Sequence, residues 1–471
     1  MPETALRVAV VGAGAAGTLT AAQLLRRSAA LRVDLEVRLI DPAATTGRGV
    51  AYATDSVHHL LNVPAAWMSA YPDVPGDFTD WLDRRAPGVH TGAHHVPRAL
   101  YGEYLAGVLA DAEAGPGPGR LRRIHERVVG VRRTDGGVTP TPTPTPTLTL
   151  TLGSGEPLRA DAAVLALGNF PPGEAWVPPA LHGSPRYLSD PWAPGALAAL
   201  PREGAALLVG TGLTMVDIAL TLGRAGRTVR AVSRHGLLPL PHAESALPTA
   251  PPPSLDPGAD IHQIRRALLS HVSACRRTYG NWRVGIDSLR PVTAEIWQRL
   301  PVTDRARFLR QYQSLWNVHR HRIPPACARA LREGMDAGRI RVTPGEVADA
   351  VPVEDSVMVR FRDGRTLRVG AVVNCTGPQE DVRRLDDPLV TGLLTSGLAA
   401  PDPTGLGFRV APCGRLHPPA DSPPAPLWTL GALRRGALLE TSAIPEIRTQ
   451  AHDIATTVLT TLTATLRRWN A

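Results

Sequence analysis

Two glycine clusters hold most of the chemistry this sequence can perform. In the first, Gly12-Ala13-Gly14-Ala15-Ala16-Gly17 has the spacing at which a strand turns sharply into a helix. Gly12 permits the tight turn, Gly14 lets a pyrophosphate reach the backbone, and Gly17 lets the helix lie close on its strand. Ala15 and Ala16 complete the cradle, with the helix N-terminus aimed at the phosphates. Asp41 closes the following strand, where a carboxylate accepts hydrogen bonds from ribose hydroxyls. In the second cluster, Gly210-Thr211-Gly212-Leu213-Thr214-Met215, the third glycine is replaced by Met215. Gly210, Gly212 and Thr214 are its candidate phosphate contacts. The next strand ends in Ser233-Arg234 with no acid, a pair placed to meet a ribose 2′-phosphate. That favours NADPH over NADH, and a solvated strand end is the other reading of Arg234.

Other candidate groups depend on their surroundings. Asn62 stands in Leu60-Leu61-Asn62-Val63-Pro64, between apolar residues that imply burial. Residues 47–75 have too much Gly and Pro for a regular element, so they read as a loop lying over a ligand or as a surface connector. Gly168 follows an apolar strand, Thr376-Gly377 repeats that junction, and Gly431 ends a third apolar run. The segment Trp316-Asn317-Val318-His319-Arg320-His321-Arg322 concentrates cationic and aromatic groups. Trp316, His319, Arg320 and Arg322 form either an anion-binding face for a substrate carboxylate or cofactor phosphate, or a solvated helix face with a buried Trp. Cys375 and Glu440 lie near these junctions, where burial or local pairing accounts for them equally well.

Strand and helix patterns alternate around these groups, which predicts an α/β chain of two dinucleotide-binding (Rossmann-like) domains. Residues 1–202 form the first part of one domain, 203–347 form the second domain inserted in it, and 348–471 return to the first. The second domain carries a helical insertion over about 260–338, broken at Gly280, Pro291, Pro301 and Pro324-Pro325. Residues 97–114 read as a helix, 121–131 as a strand, and 148–152 as a resumed strand after the Thr-Pro repeat at 139–147. That repeat cannot donate regularly to a sheet and reads as an expanded hairpin loop. Residues 238–259 are a Pro-rich linker, 358–369 a hairpin around Asp363-Gly364, and Pro445 suits the first turn of a terminal helix.

Composition removes several classes. The formal charge is +9 over 471 residues, yet all 51 basic residues are Arg, scattered without a basic stripe interleaved with aromatics. Nucleic acid is therefore not an expected partner, and the absence of Lys excludes a Schiff-base mechanism. Cys275, Cys327, Cys375 and Cys413 are far apart, which argues for reduced thiols and against a dithiol-disulfide reductase. No Cys/His grouping has zinc spacing, so no metal site is expected. No apolar run approaches the roughly 18 residues of a membrane span, so a cytoplasmic protein with no membrane partner is expected.

The order of first fold, inserted second fold and return resembles the FAD- and NADPH-dependent two-dinucleotide-fold oxidoreductases. Within these it is most similar to flavin-containing monooxygenases and amino-acid N-hydroxylases. Residues 12–17 with Asp41 look like the FAD site, and Thr376-Gly377 looks like the Thr-Gly motif shared between the domains. Asn62-Val63-Pro64 followed by Tyr71-Pro72-Asp73 is similar to the Asn-x-Pro…Pro-Asp stretch of flavin-containing monooxygenases. In that family the Asn lies beside the flavin and helps oxygen chemistry, a role the resemblance carries to Asn62 alone. It also implies that the helix after Gly431 points its positive end at the flavin. Two departures stand out: the second glycine fingerprint is degenerate, and the monooxygenase fingerprint between the folds is not clearly present.

The resemblance implies an FAD- and NADPH-dependent monooxygenase using O2. A C4a-hydroperoxyflavin would hydroxylate the nitrogen of a small amine, and the Arg-rich insertion suits a carboxylate-bearing amino acid. The alternatives are an NAD(P)H-dependent flavin dehydrogenase or oxidase without oxygen insertion, and a nucleotide-binding redox sensor.

Overall fold

A computed structural model describes residues 5–134, 148–419 and 423–470. Its first sheet is wholly parallel, in the order Leu427–Thr429, Ala162–Leu165, Leu6–Val11, Leu35–Ile40, Gly119–Ile124. The inner strands are buried along nearly their whole length because both faces are covered. On one face lie the helices Ala15–Leu31, Arg98–Ala114 and Ile444–Asn470, through Leu19, Tyr101, Leu105, Ile454 and Val458. On the other lie the antiparallel strands Val128–Arg133, Leu148–Leu152 and Pro157–Ala160 with the helix Pro388–Thr395.

The second sheet is also parallel, in the order Ile340–Pro344, Val229–Ser233, Ala206–Val209, Ala371–Asn374, Tyr187–Leu188. Helices Leu213–Arg224 and Pro325–Asp336 cover one face. The antiparallel strands Val347–Val353, Ser356–Phe361 and Thr366–Val369 cover the other, and the expected hairpin is their last pair. Six helices span the insertion from Ile261–Tyr279 to Pro325–Asp336. Asp260 opens it with a capping box closed by Gln263, and Gly280 ends its first helix at φ +70°.

Two expectations change. Residues 121–131 are two strands in different sheets, not one. Strands Ala371–Asn374 and Tyr187–Leu188 belong to the second sheet, so that sheet draws on chain outside 203–347. The reason is burial: Ala371, Val372 and Val373 are covered on both faces only as inner members of a parallel sheet. The Thr-Pro repeat at 139–147 lies outside the described residues. Among the described residues, no helix is long and apolar enough to cross a membrane.

Backbone contact fixes the first turn. A Cβ at Gly17 would stand 1.7 Å from the Gly12 carbonyl oxygen, and one at Gly12 (φ +103°) would stand 2.4 Å from that of Ala166. A Cβ at Gly14 would have ordinary room, 3.6 Å from Gly49 Cα. The second turn repeats the pattern at Gly210 (φ +108°), whose Cβ would meet the Cys375 carbonyl oxygen at 2.3 Å. There the third position differs, because Met215 is a fully buried core side chain. Gly17→Ala should therefore cost about 2 kcal/mol or more of unfolding free energy in urea, and Gly14→Ala about 1 kcal/mol or less. Equal losses would contradict the close approach at Gly17.

Candidate cofactor and substrate site

The first cradle is ordered by its own backbone. Gly12 N–H donates to the Ile40 carbonyl at 2.8 Å. Asp41 accepts from Ala13 N–H at 2.7 Å with one oxygen and from Ala43 N–H at 2.8 Å with the other. Each oxygen keeps a lone pair for a ribose hydroxyl. Gly47 N–H donates to the Ala13 carbonyl and to the Thr18 hydroxyl, laying Gly47-Arg48-Gly49 along the turn. Gly168 (φ +68°) and Gly431 (φ +73°) have open space where a Cβ would project. A turn that excludes a Cβ at Gly12 and Gly17 yet stays open at Gly14 fits the pyrophosphate of FAD. Arg48, missed in the sequence reading, stands half-buried beside this turn with no ion-pair partner among the described residues. Its signal was the glycine on either side.

The second cradle is open in the same sense. Gly212 caps the helix Leu213–Arg224 with no side chain, and nothing stands where its Cβ would be. Its first turn, with Thr214, leaves backbone N–H groups for a phosphate. The Ser233 hydroxyl is already engaged with Thr211 at 2.7 Å and with Gly236 N–H at 3.1 Å. Arg234 is exposed, with no ion-pair partner among the described residues. Gly377 (φ +90°) is open too, while Thr376 donates its hydroxyl to buried Asn374 at 2.7 Å.

Asn62 is half-buried, less enclosed than its apolar neighbours imply. Its segment runs beside residues 94–98, with Leu61 N–H donating to the Val96 carbonyl at 2.8 Å and Ala65 N–H to that of His94 at 3.0 Å. The Asn62 carbonyl accepts from His242 Nε2 at 2.8 Å, and its side-chain amide has no hydrogen-bond partner among the described residues. Farther along, Arg448 of the terminal helix donates to the carbonyls of Trp67 and Ser69, at 3.3 and 3.1 Å. Arg290 of the insertion lies over the Trp67 ring at 5.3 Å.

The 316–322 segment is neither a solvated face nor a free anion site. Arg320 pairs with Glu440 at 2.7 Å and lies 3.8 Å from Glu446, and the Trp316 indole donates to Glu440 at 3.2 Å. Arg322 is buried and paired with Asp287, while His319 bonds the Leu315 carbonyl and packs against Trp282. Local pairing thus accounts for Glu440. Arg290 pairs with Glu446 at 2.8 Å. Buried atoms without a partner remain here: Asn317 Oδ1, Arg320 Nε, Arg322 Nε and Glu446 Oε2.

Two histidines near these groups are held neutral. Dehydration, then Arg322, His95 and Arg283, push His242 down to about 3. Dehydration, then Arg320, Arg435 and Arg290, push His321 down to about 3. The unfolded rings titrate near their ordinary value, about 6.5. Between those values the unfolded chain binds more protons, so these rings remove stability as pH falls from about 6.5 towards 3. The slope is about 1.4 kcal/mol per pH unit for each ring. Urea unfolding at a series of pH values should show a shallower acid loss in His321→Gln, and an unchanged slope would contradict the burial. At the second cradle, Arg234→Ala should weaken NADPH about tenfold or more with little change for NADH, as a lost charge-assisted contact predicts. Equal losses in titrations of both nucleotides would place Arg234 away from the phosphate.

Residues 9–170 match the family model of an FAD-NAD(P)-binding domain. No curated protein matches the chain. Among solved structures it is similar to the ornithine hydroxylase of Pseudomonas aeruginosa, at 15% identity and TM-score 0.61, covering 97% of this chain and 100% of that one. It is similar to the ornithine N-hydroxylase of Kutzneria sp. 744, at 14% identity and TM-score 0.63, covering 97% and 99%. It is also similar to L-lysine 6-monooxygenase from Pseudomonas syringae, at 16% identity and TM-score 0.60, covering 97% and 99%. The chain thus carries an FAD-NAD(P)-binding domain over residues 9–170 and has, nearly end to end, the fold of the two-dinucleotide-binding flavoproteins.

Proposed function

We propose that this chain is an FAD- and NADPH-dependent monooxygenase that hydroxylates the nitrogen of a small amine, with an amino acid as the leading substrate. The observation that carries the reading is the position of Asn62. Its uncommitted amide lies on a segment tied to the first half through residues 94–98 and to the second through His242. Bound FAD, reduced by NADPH, supplies the activation of O2. The Gly12–Gly17 cradle and Asp41 hold the FAD dinucleotide, while Gly210, Gly212 and Thr214 hold the nicotinamide dinucleotide with Arg234 on its 2′-phosphate. Gly168, Thr376, Gly377 and Gly431 give the cofactors close backbone approach. The Asn62 amide orients oxygen at the reacting centre, and the loop ending at Trp67 limits the entry of water.

The substrate site is assigned to the cluster of Trp316, His319, Arg320 and Arg322 with Arg290, Glu440 and Glu446. Arg320 and Arg322 already pair with carboxylates of the chain, so this cluster carries both signs of charge. Its unpartnered Glu446 Oε2 and Arg320 Nε suit a zwitterion better than a lone carboxylate. Neighbours in fold that are named as ornithine hydroxylases and as an L-lysine 6-monooxygenase support the same class.

Asn62→Ala tests the reading. The variant should keep FAD and consume NADPH at a rate within about twofold of wild type. About fivefold less hydroxylated amine should form, with hydrogen peroxide replacing it, as loss of one buried polar contact predicts. Mass spectrometry of the amine beside a peroxide assay measures the ratio. Unchanged coupling would make Asn62 a loop residue, and a wild type that makes only peroxide would favour the oxidase.

A further inference from the structure

The Asn62 segment is held through its carbonyl groups, one after another. Arg98 donates to the carbonyls of His59, through its N–H at 2.8 Å, and Leu60, through Nε at 3.0 Å. His95 Nδ1 lies 2.8 Å from the Leu61 carbonyl, and His242 Nε2 lies 2.8 Å from that of Asn62. A carbonyl only accepts, so each of these ring nitrogens carries its proton. The two rings pack with centroids 5.0 Å apart. Three of the four carbonyls are held from residues 95–98 of the first half. The fourth is held from the Pro-rich segment that follows the second cradle.

That segment is fixed by the helical insertion. Leu240 N–H donates to the Val318 carbonyl at 3.0 Å, and Ile323 N–H returns to the Leu240 carbonyl at 3.0 Å. His242 N–H donates to the Ile323 carbonyl at 2.9 Å. Arg283 donates twice to the Pro241 carbonyl, through Nε at 2.9 Å and a terminal nitrogen at 2.7 Å. A continuous set of hydrogen bonds therefore runs from residues 318–323, beside the mixed-charge cluster, through 240–242 to the Asn62 backbone.

We infer that His242 is a positioning residue: its Nε2–H sets the Asn62 backbone, and with it the Asn62 amide, according to the seating of the helical insertion. Occupation of the substrate cluster is thereby linked to the oxygen-handling loop on the far side of the domain junction. The ring's neutrality suits this task, since Nδ1 gains no proton over the working pH range and Nε2 remains the donor. The inference rests on the monooxygenase reading, but its geometric half does not.

The experiment uses full-length holoenzyme and reads two quantities in His242→Leu, His242→Gln and Arg283→Met. One is hydroxylated amine formed per NADPH consumed. The other is hydrogen exchange at the amides of residues 60–66. His242→Leu should retain FAD, lower coupling about fivefold and speed exchange at 60–66, as loss of one hydrogen bond predicts. His242→Gln restores a donor and should return both readouts to within about twofold of wild type. Arg283→Met, which removes the hold on Pro241 and leaves the His242 ring in place, should move both in the same direction as His242→Leu, and it decides the matter where His242→Leu does not fold. Wild-type coupling and exchange in His242→Leu, or in Arg283→Met where that variant must decide, overturns the inference. Failure of His242→Gln to rescue overturns it as well. A wild type that forms no hydroxylated amine overturns the functional reading instead, and exchange at 60–66 still decides the positioning.

Discussion

The structure depends on a backbone-to-backbone contact: Gly17 against the Gly12 carbonyl, with Gly12 itself against the carbonyl of Ala166. No side chain fits in either gap, so the first helix, its strand and the neighbouring strand lock at one spacing. That spacing aims the helix N-terminus at an open turn, where its unpaired N–H groups favour a phosphate. The second cradle repeats the contact between Gly210 and Cys375 but seats its helix through the Met215 side chain. A degenerate fingerprint is therefore compatible with an intact turn, because the third glycine is needed only where backbone meets backbone.

Joining two such halves is the next constraint. Arg98, at the start of its helix, pairs at 2.7 Å with Asp217 of the helix that follows the second cradle. Both side chains are largely buried, and burial pushes the Asp217 carboxyl up while Arg98 and His59 oppose it. Removing one partner of such a pair costs about 3–5 kcal/mol, because the other is left buried and uncompensated. His59 adds a bond to Thr221 at 3.0 Å on the same helix. The 59–69 loop is thus braced against the second half along 59–62, and terminal-helix Arg448 braces it again at Trp67 and Ser69.

Local features were legible in the sequence, and long-range partners were not. Both glycine turns, the helix of 97–114, the breaks at Gly280, Pro301 and Pro324, and the 358–369 hairpin follow from short-range rules of φ, capping and periodicity. The strand at Ala371–Asn374 reads identically whichever sheet it joins, because parallel partners are set by distant chain. The same limit hid the carboxylate partners of Arg320 and Arg322. Glu440, the acceptor that Trp316 and Arg320 share, lies more than a hundred positions away, so no spacing rule revealed that these cations were already paired. Asn62 stood out through its apolar neighbours and took its expected role from resemblance alone, while His242 had no signal beyond a histidine in a Pro-rich linker.

The central claim is that oxygen from O2 ends on the nitrogen of a small amine. The direct measurement is turnover of the FAD-loaded chain with NADPH under 18O2, using ornithine, lysine and cadaverine as probes, with mass spectrometry of the products. The account predicts a hydroxylated amine carrying one 18O, formed only when NADPH is consumed, and favoured for the amino acids over the diamine. NADPH oxidation that yields labelled hydrogen peroxide and no labelled amine with any of the three probes would contradict it.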